Sequence, residues 1–185
     1  MKRIKIFIAI VSVIAVASCG NDTKITEPEV SNIPDPKTEL SSKIQNLESE
    51  MHSSMQLDNE KAAQALVAYS EYAKLFPSDS ITPDYLFKAG EIATATQQYP
   101  QAVDYYKTIS EKYPNYKLVQ ESLFLQAAVL DNFIDDDVKA KVIYEALIAK
   151  YPQSTYANDA KAAIKNLGKT DAELIKEFQK KNGEK

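Results

Sequence analysis

Arginine is nearly missing from this chain: Arg3 is the only one, and it lies at the very start. Bidentate clamping of phosphate or carboxylate by a guanidinium is therefore excluded for everything downstream. One cysteine (Cys19) and one histidine (His52) leave no Cys/His set to hold a metal, and only His52 to activate a hydroxyl or thiol nucleophile. Glycine is scarce, with four residues (Gly20, Gly90, Gly168, Gly183) and no spacing that would cradle a phosphate. No paired carboxylates stand in an evidently apolar stretch. The longest apolar run, Ile6 to Val16, is shorter than the ~20 residues a bilayer-spanning helix needs. These absences argue against an enzyme and against any cofactor, small-molecule substrate or metal.

The formal net charge is −4. Lys2, Arg3 and Lys5 sit in a segment expected to be removed, which leaves 19 basic against 26 acidic groups, a net of −7. That balance disfavours nucleic acid and anionic membrane surfaces, which select for clustered cations.

What is present begins with an export signal. Residues 1–18 have a basic start, the apolar Ile6–Val16 core, and small residues before Cys19. Val16-Ala17-Ser18-Cys19 resembles the bacterial lipobox, which implies cleavage before Cys19 and acylation of its thiol and new amine. An ordinary secretory signal with a leftover thiol is the alternative. Acyl chains contribute ~0.8 kcal/mol per buried CH₂, so several on one residue make a durable anchor. Gly20, rather than Asp, follows the cysteine, and by that resemblance the destination is the outer membrane, with the domain facing the periplasm or the cell surface. Residues 19–37 read as the lipidated N-terminus and a flexible tether, polar and broken by Pro28, Pro34 and Pro36. In polyproline form such a tether would hold the domain up to ~50 Å from the bilayer. A helical domain is expected over 38–181, with a disordered tail at 182–185.

The domain is organised by a repeat. Leu86-x2-Ala89-Gly90-x2-Ala93, Ala102-x3-Tyr106 and Lys112-Tyr113-Pro114 return as Leu123-x2-Gln126-Ala127-x2-Leu130, Ala140-x3-Tyr144 and Lys150-Tyr151-Pro152. Half of a third copy lies upstream as Ala65-x3-Tyr69 and Phe76-Pro77. The alanine-to-proline interval is 12 residues in all three copies, and the prolines recur after 37 and then 38 residues. That period marks stacked helical repeats. Small residues let two antiparallel helices cross closely, aromatics fill the gap toward the next pair, and proline closes the second helix. Each hairpin leaves an apolar face that only a neighbour can cover.

This series of small residue, alanine, aromatic and proline resembles the tetratricopeptide repeat family over residues 58–167. The family's usual tryptophan is replaced by Leu86 and Leu123, its first-helix tyrosine by Ala93 and Leu130, and the second copy carries one extra residue in its Asp135-Asp136-Asp137 turn. The period and the Tyr-Pro or Phe-Pro junctions are similar to the BamD/YbgF-like lipoproteins of the bacterial envelope. The resemblance implies an all-α, right-handed helical solenoid of about three hairpins plus a C-terminal capping helix. It further implies a scaffold binding other envelope proteins or peptide segments, of the outer-membrane or Tol-Pal assembly type. A peptidoglycan-associated structural lipoprotein and a cell-wall hydrolase are the alternatives.

Local signals set the expected element ends. Residues 39–55 read as a helix with Leu40, Ile44, Leu47, Met51 and Met55 on one side, either the first helix of the first repeat or a short coiled coil. Asp58 and Ser154 are expected N-caps, Thr82-Pro83 a cap followed by proline, and Gly168 a helix stop. Thr170 to Glu173 forms a capping box before a last helix read as a polar lid. His52 reads as a solvated surface residue. Asp131, Asp135, Asp136 and Asp137 read as a turn with Asp136 or Asp137 as cap, since EF-hand spacing is absent. Phe87 and Phe124 each fall one position after a packing leucine. Stacking of this kind would put them in an inner groove with Glu91, Thr94, Ala128 and Asp131, suited to an apolar peptide with positive charge. The rival reading makes both rings core.

Overall fold

The computed structural model describes residues 35–52, 58–181 and 183. The expected signal peptide, Cys19, the tether up to residue 34, Met55 and tail residues 182, 184 and 185 lie outside the described residues. Among the described residues every regular element is a helix: α1 Pro36–His52, α2 Asn59–Leu75, α3 Thr82–Ala95, α4 Tyr99–Lys112, α5 Val119–Phe133, α6 Asp137–Lys150, α7 Thr155–Asn166 and α8 Asp171–Lys181. From α1 to α7 each helix packs on the next, and α5 also touches α7. This is a tetratricopeptide-like helical solenoid.

Helix α1 starts inside the stretch read as tether. Pro36 opens it, a place where the missing N–H of proline is harmless. It lies along α2 and buries Leu40, Ile44 and Leu47, so it is the first helix of a first hairpin and its apolar side is already used.

The repeated small residues sit at the helix crossings. Ala65, Ala89, Ala93, Ala102, Ala127, Ala140, Ala157 and Ala160 are at most 1% exposed. Gly90 shows why size matters there: a Cβ on it would come 2.6 Å from Cε1 of Tyr106. The repeated tyrosines Tyr69, Tyr106 and Tyr144 are equally buried and fill the space between hairpins. Tyrosine can do this because its ring supplies apolar area while its hydroxyl finds a polar neighbour. Tyr69 donates to Glu48 at 2.7 Å, and the Tyr106 hydroxyl partners Thr94. Burial accordingly pushes the Tyr106 pKa up to about 12.

The extra residue of the second repeat is absorbed in one loop. After α3, the Gln98 N–H reaches the Ala93 carbonyl, five residues back, at 2.7 Å; after α5, the Asp136 N–H reaches Leu130, six back, at 2.9 Å. Both loops turn on a residue in the left-handed region, Gln97 (φ 61°) and Asp135 (φ 57°). The wider loop lets Ala140 and Tyr144 regain the roles of Ala102 and Tyr106.

Capping expectations hold at Asp58, which accepts from the Glu60 and Lys61 N–H groups, and at Ser154, which accepts from Tyr156. They hold also at Asp136, which accepts from the Lys139 N–H at 3.0 Å. The capping box forms as read: the Thr170 N–H donates to Glu173 at 2.8 Å, and the Glu173 N–H to the Thr170 hydroxyl at 3.4 Å.

Two readings need correction. Thr82 is no N-cap: it is fully buried and its hydroxyl donates to the Phe76 carbonyl at 2.6 Å, closing the α2–α3 loop. Nor is α8 a lid. It makes little contact with the other helices, and Ile175 and Phe178 are 57% and 63% exposed. The turn at Gly168 directs the chain so that Leu174 alone of its apolar residues faces the body.

Asp79 gathers the first hairpin. It accepts from Lys37, from the Tyr72 hydroxyl at 3.0 Å and from the Ile81 N–H at 3.1 Å. These donors, Lys37 first, lower its pKa to about 2. Because the folded-state value lies below the unfolded one, its stabilisation is complete above about pH 4 and is lost as pH falls toward 2. Asp79→Asn should lower the melting temperature at neutral pH and flatten its fall between pH 4 and 2, as followed by circular dichroism.

Candidate functional site

The six groove residues expected from sequence divide into three groups. Phe87 is 7% exposed, with its ring 5.9 Å from Tyr106 and 6.4 Å from Tyr116, so it belongs to the core and offers no surface to a partner. Thr94 is half-buried: its hydroxyl donates to the Gly90 carbonyl at 2.8 Å and meets the Tyr106 hydroxyl. Helix α3 is flanked by hairpins on both sides, which leaves its second-position phenylalanine no outlet.

Phe124, Ala128 and Asp131 do come together. Spaced along one face of α5, they line a cleft of about 630 Å³ closed by α7 and the loop into α8. Phe124 is half-buried, 5.6 Å from Tyr144 and 5.8 Å from Tyr156, and forms an aromatic wall. Its counterpart Phe87 has other rings over it, Tyr106 of α4 and Tyr116 of the α4–α5 loop, and the loop position of Tyr116 is Ser154 in the second repeat.

Two turns further along that face the cleft is acidic. Asp131, Asp135 and Asp137 all line it, while Asp136 turns away to cap α6. Burial, reinforced by the Asp137 carboxylate, pushes the Asp131 pKa above the usual range. An ionised carboxylate held there lacks the water it would have in solution, and a cation arriving in the cleft would relieve it.

From the far side Asn166, Gly168, Lys169 and Leu174 complete the lining. Gly168 takes a left-handed φ of +72°, which favours glycine, and an added Cβ would lie 3.1 Å from Asp137 Oδ2. Lys169, the one cation of the lining, is held by Glu177 of α8 at 2.7 Å. None of these four was legible as a site residue, because they follow the repeats and carry none of their pattern.

Glu91 lines a second, smaller cleft of about 320 Å³ between α1 and α3, with Met51, His52, Tyr69 and Ile92. There Lys88 pairs with Glu48 at 2.7 Å. Loss of water, then the charge of Glu121, raises the Glu91 pKa, opposed by Lys88. His52 is exposed as expected, with Nδ1 2.7 Å from the Glu48 carbonyl, yet it borders this cleft rather than open solvent alone. Among the described residues no three His, Cys, Asp or Glu side chains are placed to share a metal ion.

Cleft and repeat geometry therefore coincide in α3 to α7. Residues 84–116 and 121–154 each match the family model described as tetratricopeptide repeat. These two segments are similar to tetratricopeptide repeats. The matched segments contain α3–α4 and α5–α6, so the α5 wall of the cleft belongs to the second repeat and the α7 wall lies just beyond it. The α1–α2 hairpin adds a third unit of the same build outside the match. Its first helix buries Leu40, Ile44 and Leu47 in place of the glycine and alanines of the other two. Comparison with curated proteins finds no match. Repeats of this kind point to a protein–protein interaction scaffold.

Proposed function

We propose that this chain is a lipid-anchored scaffold of the bacterial cell envelope that holds protein partners and performs no chemistry. The observation that carries the reading is the α5–α7 cleft. It pairs an aromatic wall with three carboxylates, one of them raised in pKa by burial, inside a repeat fold whose rigid stacked helices suit presentation. Its occupant is a protein segment bearing an apolar residue next to a lysine or arginine. Acyl groups on Cys19 fix the chain in the outer membrane, residues beyond Cys19 act as a tether, and the solenoid presents the cleft in the periplasm. The setting is an outer-membrane or Tol-Pal type assembly. The acidic balance and the missing arginines speak against nucleic acid and phosphorylated small molecules. No cofactor is needed beyond the lipid itself.

Cys19→Ser should abolish incorporation of labelled palmitate and move the protein from the membrane to the soluble fraction. Retention in washed membranes without label would remove the anchor from the proposal. Cross-linking of the native lipoprotein in its own membranes should capture an envelope protein through residues of the α5–α7 cleft; capture confined to other surfaces would remove the cleft.

A further inference from the structure

The face of α5 that lines the α5–α7 cleft does not end at Phe124. Glu121, Phe124, Ala128 and Asp131 recur along the helix at intervals of three, four and three residues, which keeps them on one side. Tyr156 of α7 joins the first two: its ring lies 5.8 Å from Phe124, and its hydroxyl meets Glu121. Glu121 also stands near Glu91 of α3, and its charge adds to the loss of water that raises the Glu91 pKa. Asp137 acts on Asp131 in the same way at the other end. The helical rise sets Glu121 and Asp131 about 15 Å apart along α5, with the Phe124 ring and the small Ala128 between them.

Each end is therefore a pair of like charges without a cation of its own. Lys88, which opposes the Glu91 shift, is bound to Glu48 at 2.7 Å, and Lys169, in the lining beside Asp131 and Asp137, is bound to Glu177 at 2.7 Å. Among the described residues no ion pair involves Glu91, Glu121, Asp131 or Asp137. Like charges held together in partial burial work against the fold, and conflicts of that kind are kept at functional sites. Resting on the protein-binding reading of the cleft, we propose that its occupant is an extended segment of the pattern cation-x-apolar-x-cation. One cation meets Glu121 and Glu91, the other meets Asp131 and Asp137, and the apolar side chain lies against Phe124 and Ala128.

The spacing follows from chain geometry. Side chains of an extended segment alternate sides, so the first, third and fifth of five residues face one way and span about 13 Å. Flexible lysine or arginine stems cover the remaining distance while their own methylenes pack on the apolar middle. A helix, about 10–12 Å across with its side chains, is wider than a cleft of about 630 Å³ admits over that length. Adjacent cations would satisfy one carboxylate pair and leave the other as it is in the free protein.

Two labelled, end-blocked peptides of identical composition test this by fluorescence anisotropy with the full chain in detergent: Ser-Lys-Ser-Leu-Ser-Lys-Ser and Ser-Ser-Ser-Leu-Lys-Lys-Ser. The first reads the same in both chain directions, so its orientation in the site does not matter. It should bind about tenfold tighter than the second, the gain of one further hydrogen bond between charged groups. Glu121→Gln should erase that advantage and leave the second peptide unchanged, whereas Asp131→Asn should weaken both. Glu71→Gln, the same change of net charge on the exposed side of α2, should alter neither, and circular dichroism should show all three variants folded. Equal affinity for the two peptides, with both weakened by Asp131→Asn, would overturn the two-ended site and leave the cleft as a binder of one cation. An advantage that survives Glu121→Gln would overturn it as well. Affinities that ignore Asp131→Asn altogether would remove the cleft reading along with it.

Discussion

Tyr106→Ala is expected to lower the unfolding free energy by about 3–5 kcal/mol, the range for removing a large aromatic from a core. Tyr106 is 2% exposed, sits edge-on to Phe87, and lies against the backbone of Gly90. Its loss would open the crossing of α3 with α4 on which the first matched repeat is built. Gly90→Ala supplies the complementary test. Alanine is a better helix former than glycine by about 1 kcal/mol, so an uncrowded Gly90→Ala would stabilise α3. Here its Cβ would stand 2.6 Å from a buried ring, and the variant should instead be destabilised by about 1–3 kcal/mol. In the Tyr106→Ala background the crowding is gone, and Gly90→Ala should become neutral or stabilising. Chemical denaturation of the four proteins gives the coupling directly. Equal effects of Gly90→Ala in both backgrounds would mean that the glycine is there for another reason.

Asp131→Asn should separate binding from folding. The Asp131 pKa is raised by burial and by Asp137. With the folded-state value above the unfolded one, its ionised form at neutral pH works against the fold, and protonation at lower pH relieves it. Removing the charge should leave the protein as stable as before or more so at pH 7, with a shallower pH dependence through the carboxylate range. Capture of a cationic partner segment should weaken about tenfold or more, which corresponds to the ~1.5–3 kcal/mol of a hydrogen bond to a charged group. Titration calorimetry with the segment recovered by cross-linking measures the second effect, and thermal melts measure the first. Unchanged affinity would take the carboxylate out of the site. Phe87→Ala, by contrast, should act only through stability, since its ring is buried behind Tyr106 and Tyr116.

Half of the expected groove was legible and half was not, and the division has a local cause. Register along a helix follows from spacing, so Phe124, Ala128 and Asp131 could be assigned to one face of α5, and they do share one. Whether such a face meets solvent depends on what stacks against it, and spacing says nothing about that. Phe87 and Phe124 occupy equivalent places in their repeats, yet Tyr116 of the α4–α5 loop closes over the first, while Ser154 stands at that loop position in the second repeat and Phe124 is left at the edge of a cleft. For the same reason the aspartate turn could be read as a cap, but not as the source of the cleft's charge. Asp136 takes the cap, and Asp135 and Asp137 are left facing inward. The exposed apolar side of α8 was misjudged because its amphipathic pattern is indistinguishable from that of a helix that packs.

The alanine, tyrosine and proline intervals were enough to determine the hairpins and their stacking, because close helix crossings tolerate only small residues and a helix cannot run on through the proline that closes each hairpin. Tertiary structure alone decided which equivalent side chains became core and which became surface. Burial depends on what lies over each face, and a side chain outside the repeat pattern, such as Tyr116 over Phe87, can close one face and leave its equivalent open.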